Sequence, residues 1–325
     1  MSRLSYQIPN FTYPNTRPAE IFDKVVAQAQ AAEAAGFDRV MVMDHFYQLP
    51  MLGAPDEPMF ECYAMLSALA QHTKKVRLSA LVTGNTYRNP ALLAKTITTL
   101  DHVSHGRATL GIGAGWFELE HNAYGFEFGT FGERFRKLDE ALAIIVPMLR
   151  GERPTVKGKF YTATDAINSP VPVSRIPIMI GGQGEKKTLR LVAKYADESN
   201  LTGEVADIPR KLAALAKHCE DLGRDRAEIA VTKMLTVAVA PTQEEADADL
   251  AAFAKVKGWN ADIVAMVRRM VIAGDPDTVG EKIAEAMRHG IDGVALNMPA
   301  NGHNPARIAL LGEIAQKVIG ASGRN

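Results

Sequence analysis

Eight short runs rich in aliphatic and β-branched residues recur along the chain, each separated from the next by a longer stretch. The intervening stretches have helical periodicity: segments 19–35 and 90–103 place apolar residues at i, i+3, i+4 and i+7, the stripe of an amphipathic outer helix. This alternation specifies a parallel sheet covered by helices, since parallel neighbours need a long crossover between them. The runs fall at 4–8, 39–43, 76–82, 108–113, 177–180, 198–201, 229–238 and 293–297. A closed (β/α)8 barrel needs ~250 residues, and a doubly wound sheet usually stops at fewer strands. The 325 residues are therefore expected to form an α/β protein, a (β/α)8 TIM barrel in a single domain over 1–325. Insertions are expected near 151–175 and 258–273.

Two echoes support the repeat. AEAAGFDRVMV at 32–42 and AEAMRHGIDGVAL at 284–296 both run helix, glycine, apolar residue, aspartate, strand. Gly36 and Gly290 are expected in the left-handed position that closes a helix. In the first insertion, KGKFY is expected to form a small hairpin, and in the second, Ile263, Val267 and Met270 have the spacing of an extra helix.

Charge and composition narrow the function. Lys+Arg and Asp+Glu both number 37, so no cationic excess is available for a phosphate backbone or an anionic membrane, and nucleic acid and membrane are not expected partners. No apolar run reaches spanning length, and no apolar stretch of ~7–15 residues follows the N-terminal charge, so neither export nor membrane insertion is expected. Cys62 and Cys219 are the only thiols and lack CxxC spacing, which fits a reducing cytoplasm.

In such a barrel the chemistry sits where the strands end, so polar residues immediately after each strand are the candidates. These are Asp44 and His45 after the second strand, Thr83, Gly84 and Asn85 after the third, Gly113, Ala114, Gly115 and Trp116 after the fourth, and Gly181, Gly182, Gln183 and Gly184 after the fifth. GGQGEKKTLRL at 181–191 carries the strongest signal. Glycines let backbone N–H groups approach an anion, and the following helix aims its positive end at the same place. Lys186 and Lys187 add unfavourable charge to that first turn, which an anionic ligand such as a phosphate would offset. GIGAG at 111–115 lacks the GxGxxG spacing of a dinucleotide site. His102 and His105 lack further ligands at metal spacing, no HExxH or GxSxG motif occurs, and no metal is expected. Glu118, Glu120 and His121 fall in a segment, WFELEH, that either lines a pocket or caps its own loop.

At these residues the sequence resembles the luciferase-like flavin and deazaflavin monooxygenase superfamily, and more closely its branch of oxidoreductases dependent on the deazaflavin coenzyme F420. The resemblance covers nearly the whole chain. It rests on MDH at 43–45, LVTGNTYRNPALLAK at 81–95, RATLGIGAGWFELEHNAYG at 107–125, GERF at 132–135 and GGQGEKKTLRLVAKYAD at 181–197. It implies that Asp44 contacts the deazaflavin ring system, that His45 stands beside its reactive carbon as proton donor or acceptor, and that Thr83 hydrogen-bonds the coenzyme. Ala114 and Gly115 would border the ring, and Gly181, Gly182, Gly184 and Glu185 would hold its phosphate through backbone donors. The resemblance further implies a non-proline cis peptide between Ala80 and Leu81, pressing on the ring face.

The chain also departs from the branch. Its sugar-6-phosphate dehydrogenases carry a tryptophan where this chain has Leu49 and an acid where it has Trp116. These changes point away from a sugar phosphate and toward an apolar organic substrate, such as an activated alkene, imine or alcohol, placed against Met43, Phe46 and Trp116, with Glu120 also lining the pocket. The leading expectation is hydride transfer between F420 and that small molecule, in a homodimer. The alternatives are an FMN-dependent monooxygenase of the same superfamily and a protein that binds a flavin without turnover.

Overall fold

A computed structural model describes residues 3–321. The strands are β1 (Leu4–Ile8), β2 (Arg39–Val42), β3 (Arg77–Ala80), β4 (Thr83–Gly84), β5 (Leu110–Gly113), β6 (Val156–Lys157), β7 (Thr162–Ala163), β8 (Ile178–Gly181), β9 (Glu198–Leu201), β10 (Ala230–Val239), β11 (Val271–Gly274) and β12 (Gly293–Asn297). The helices are α1 (Ile21–Ala34), α2 (Cys62–His72), α3 (Pro90–Val103), α4 (Glu118–Tyr124), α5 (Phe131–Leu149), α6 (Thr188–Tyr195), α7 (Ile208–Leu222), α8 (Gln243–Val256), α9 (Ala261–Met270), α10 (Pro276–Arg288) and α11 (Pro305–Ala321).

The main sheet runs β3-β2-β1-β12-β10-β9-β8-β5-β4, and every pair in it is parallel. Its two ends meet. Leu78 of β3 bridges to Ala108, with Leu78 N–H donating to the Arg107 carbonyl and Thr109 N–H to the Leu78 carbonyl, both at 2.9 Å. β3 and β4 are thus one interrupted strand, leaning on β2 below the break and on β5 above it. The result is a closed, eight-stranded parallel barrel wrapped by helices, the (β/α)8 TIM barrel that the sequence predicts.

The break is a non-proline cis peptide between Leu81 and Val82, one residue beyond the expected Ala80–Leu81 bond. The ladder explains the difference. Ala80 still pairs with Val42, and Leu81 N–H still donates to the Val42 carbonyl, so β3 keeps its register through Leu81 and departs only after it.

Turn chemistry follows the sequence at the helix ends. Asn89 caps α3 by accepting from the Ala91 and Leu92 N–H groups, with Pro90 in the first turn, where its missing donor is not needed. Gly36 and Gly290 have φ of +78° and +99°, as their helix-closing position requires. The insertions differ in detail from expectation. KGKFY forms most of a hairpin loop, and the antiparallel pairing lies at its flanks, between β6 and β7. Glu140 of α5 fixes that loop by accepting from the Lys159, Phe160 and Tyr161 N–H groups. In the second insertion α9 forms, and Ile263 and Val267 join a small cluster with Phe253 and Trp259. Met270 does not join it and is 60% exposed, because the chain leaves the helix there for β11.

The barrel interior has two tiers. At its base Arg39 of β2 reaches across to Glu198 of β9, donating at 2.9 and 2.7 Å, with Ser5 and Thr232 completing the polar set. Above it, Met41, Met179 and Ala295 meet Leu81 and Val82. Their strands are not neighbours in the sheet, so these residues touch only across the interior. No described helix is long and apolar enough to cross a membrane.

Candidate active site

The ends of β2, β4, β5 and β8 bring most of the sequence candidates to one mouth. His45 follows β2, and its Nδ1 lies 2.6 Å from Glu120 Oε1 on α4. Glu120 is fully buried, and its other oxygen accepts from the Phe46 N–H at 2.8 Å and the Tyr47 N–H at 3.3 Å. The Tyr87 hydroxyl donates to the same carboxylate. Burial alone would push the Glu120 carboxyl up, yet the His45 ring, the Tyr87 hydroxyl and the Phe46 N–H together hold it below the usual range. Burial and that same carboxylate push the Tyr87 hydroxyl up, so it stays a donor. An ionised carboxylate only accepts, so His45 Nδ1 is the ring nitrogen that carries a proton toward Glu120, and Nε2 is the nitrogen turned away from that partner. Glu120 thus lies under His45 and is not open to a pocket.

The Asp44 carboxylate is engaged on every side visible here. It accepts from Arg88 at 2.7 and 3.0 Å and from the Gly84 N–H at 3.0 Å, and it is itself buried. Burial works against the Arg88 charge, but Asp44 outweighs it and the guanidinium is held firmly protonated. Asp44 therefore locks the start of the 85–87 turn to the end of β2. Thr83 is buried with its hydroxyl against the Tyr63 hydroxyl.

His121 is engaged away from the His45–Glu120 pair. Its Nδ1 lies 2.7 Å from the Phe117 carbonyl, so it donates there and accepts from the Thr86 hydroxyl through Nε2 at 2.6 Å. Burial pulls its pKa down, consistent with a neutral ring that fixes the loop carrying Trp116. Gly115 lies in that loop with φ +77°, and its carbonyl accepts from Arg134. Trp116 is 60% exposed, and its ring centroid lies 5.8 Å from that of His45. Phe46 instead turns into an aromatic cluster with Tyr87, Tyr124 and Phe126.

Between β5 and β8 the glycines make a seat. A Cβ on Gly113 would fall 2.9 Å from Val82 Cγ2, and one on Gly181 2.7 Å from Val82 Cγ1, so the Val82 side chain rests where those side chains would be. This leaves Leu81 and Val82 projecting over Met41 and Met179 as an apolar bed, with Ala114 and Gly115 beyond its β5 end.

The turn at 181–184 closes the site on the β8 side. Gly182 has φ +133°, a conformation open to glycine, and its N–H donates to the Asn200 carbonyl. That donor is consumed. Among the described residues the N–H groups of Gln183, Gly184 and Glu185 have no partner, and they precede α6. These are the free donors of the turn. The Glu185 side chain points elsewhere and pairs with Arg210. Arg88, Tyr87 and Thr86 escaped sequence reasoning although TYR lies within the 81–95 stretch, because nothing local marks which carboxylate or imidazole each will meet.

A family model described as luciferase-like monooxygenase matches residues 3–293. An F420-dependent glucose-6-phosphate dehydrogenase from Microbacterium testaceum is 30% identical over 298 residues, covering 84% of this chain and 86% of that one. A 5,10-methylenetetrahydromethanopterin reductase from Methanolobus tindarius is 29% identical over 286 residues, covering 86% and 74% respectively. Among solved structures, the coenzyme F420 dependent tetrahydromethanopterin reductase of Methanopyrus kandleri superposes with a TM-score of 0.73 at 21% identity, covering 97% of this chain and 99% of that one.

Proposed function

The chain belongs to the luciferase-like monooxygenase family, and on that premise we propose that it is an oxidoreductase passing a hydride between coenzyme F420 and a small, largely apolar organic molecule. The observation that carries this reading is the carboxylate-held imidazole of His45 at the same barrel mouth as the unpartnered donors at 183–185. F420 is the coenzyme named for the Microbacterium testaceum dehydrogenase above, and the residues present suit it. The phosphate would take the N–H groups of Gln183, Gly184 and Glu185, and the ring would lie on Leu81 and Val82 with Ala114 and Gly115 at its border. When bound, a deazaflavin supplies the ring carbon that gives or takes the hydride, and it lacks the flavin nitrogen used in oxygen activation.

The protein's own residues manage position and protons. His45 Nε2, aimed by Glu120, takes a proton from the substrate as it is oxidised or returns one as it is reduced. The Asp44–Arg88 pair holds β4 and the 85–87 turn against the end of β2, so that His45 has a fixed neighbour. Trp116 offers an apolar wall where a sugar phosphate would need polar or charged partners. That wall supports an alcohol, imine or activated alkene over the phosphorylated sugar named for the Microbacterium testaceum relative.

The test is a titration with F420 and FMN in parallel, followed by anaerobic mixing of the F420 complex with secondary alcohols, amines and enones. Micromolar F420 binding and substrate-dependent bleaching of its oxidised form are expected. Binding of FMN alone, with oxygen uptake coupled to substrate oxidation, would replace this reading with a flavin monooxygenase.

A further inference from the structure

Two lysines lie buried behind the glycine turn, and the proton chemistry above has no use for them. Lys211 of α7 and Lys233 of β10 are each 2% exposed. Lys211 Nζ donates to the Gln183 side-chain carbonyl and to the Thr202 carbonyl, both at 3.1 Å. Lys233 Nζ donates to the Gly203 carbonyl. Both ammonium groups therefore converge on one glycine: a Cβ added to Gly203 would stand 3.2 Å from Lys211 Nζ. Gly203 also has φ +83°, so the loop after β9 can pass between them.

Their charge is poorly compensated. The carboxylate paired with Lys211 is Asp207 at 3.7 Å, and Asp207 is already bonded to Arg210 at 2.7 Å. Lys233 has no carboxylate within ion-pair distance among the described residues, and burial together with the Lys211 charge pulls its pKa down to about 8 against the weaker opposing pull of Glu204 and Asp207. Two adjacent cations held mainly by neutral carbonyls are unfavourable in isolation, since buried charge wants a counter-charge. Lys211 touches Gln183, the residue between the two glycines of the turn, so that counter-charge would come from whatever anion the turn holds. Helix α7 braces the same turn again farther along, where His218 Nε2 lies 2.8 Å from the Glu185 carbonyl.

We propose that Lys211 and Lys233 form a buried cationic floor beneath the 181–184 turn and provide the charge against which the coenzyme's phosphate binds. They act as positioning residues: Lys211 orients Gln183, Lys233 holds the 202–204 loop, and their joint field favours an anion on the outer side of the turn. This rests on the coenzyme reading above, and it assigns the phosphate's share of the affinity to residues that never touch it. The exposed Lys186 and Lys187 are the competing source of that charge.

The experiment compares F420 with its precursor Fo, which has the same deazaflavin and ribityl chain but lacks the phosphate and the tail beyond it, by fluorescence titration of wild type, Lys211→Met and Lys233→Met. FMN and riboflavin, which differ by the phosphate alone, are run beside them as a second pair. In each variant, F420 affinity should fall ~10-fold or more while Fo affinity stays within ~2-fold, the range expected for losing charge-assisted binding. Equal weakening of F420 and Fo would show a merely structural role and overturn the floor. A wild-type protein that takes only the FMN pair would end the F420 reading yet support the floor if FMN alone weakens in the variants. A wild-type protein in which phosphate adds nothing in either pair overturns the floor directly. Should the methionine variants not fold, wild type at ~0.05 and ~0.5 M salt decides, because salt screens exposed charges far more than buried ones. A phosphate advantage kept within ~3-fold supports the floor, and its collapse assigns the charge to Lys186 and Lys187.

Discussion

At the scale of single residues, the site turns on one hydrogen bond. Glu120 is held below the ordinary carboxylate range, so it stays ionised at neutral pH, and its pairing is lost only as pH falls through its folded value. While it is ionised, it holds a proton on His45 Nδ1. His45→Ala should therefore lower turnover by ~10²-fold or more while leaving F420 affinity within a few fold, since a general acid-base group contributes about that much. Normal turnover in this variant would remove the proton role. Glu120→Gln is the sharper test. A glutamine whose oxygen accepts from the Phe46 and Tyr47 N–H groups must turn its amide N–H toward His45, moving the ring proton to Nε2. The expected result is a drop in kcat of about tenfold to a hundredfold at little-changed KM, with nitrogen NMR of the imidazole reporting the switched tautomer. The sequence already offered His45 after a strand and Glu120 in WFELEH. It did not show that they meet, because the partners lie 75 positions apart and α4, with seven residues, is too short to carry a periodic signal.

At the scale of elements, the alternation of strand and helix was legible almost to the residue. β1, β9 and β12 begin and end where the aliphatic runs do, and the other barrel strands shift at their ends by no more than two residues. β11 was not legible: VIAG is short, follows α9 without a turn, and gains strand character only by lying parallel to β10 from Thr236 to Val239. The offset of the cis bond has a related cause, since the motif at 81–95 locates the strand end but the ladder to β2 decides where it breaks. The 181–184 turn was legible as glycines before a helix. The division of labour within it was not, for Gly182 gives its N–H to Asn200 and leaves the open donors to the next three residues. Gly182→Val would force a branched residue to φ +133° and place its Cβ 3.2 Å from Thr188 Cγ2. The turn should distort, with coenzyme affinity falling by about tenfold or more and the melting temperature by a few degrees, as backbone strain of ~1–3 kcal/mol implies. A folded variant with unchanged F420 affinity would leave the glycine as a chain turn and nothing more.

At the scale of the whole molecule, the barrel separates a chemical end from a structural one, and the two can be perturbed independently. The base is held by Arg39 and Glu198, both at the starts of their strands, whereas His45 and the 181–184 turn follow the ends of theirs. The alternation of segments predicts closure, but no local signal joins an arginine in β2 to a glutamate in β9, 159 positions later. Their pairing exists only because closure brings opposite walls together. Glu198 also accepts from the Thr232 hydroxyl, while Arg39 donates to Ser5, so four strands share one buried network. Removing one charge strands the other: Glu198→Gln should cost ~3–5 kcal/mol in urea unfolding, because Arg39 would remain buried without its counter-charge. Replacing both with apolar residues of similar volume, Arg39→Met with Glu198→Leu, should recover much of that loss, since two neutral side chains need no desolvated partner. F420 affinity should stay within a few fold in either protein, because the ion pair lies at the end of the barrel opposite the mouth. A Glu198→Gln protein as stable as wild type would mean that water or another donor set already satisfies Arg39. A double variant no better than the single would mean that the pair serves barrel geometry rather than charge balance.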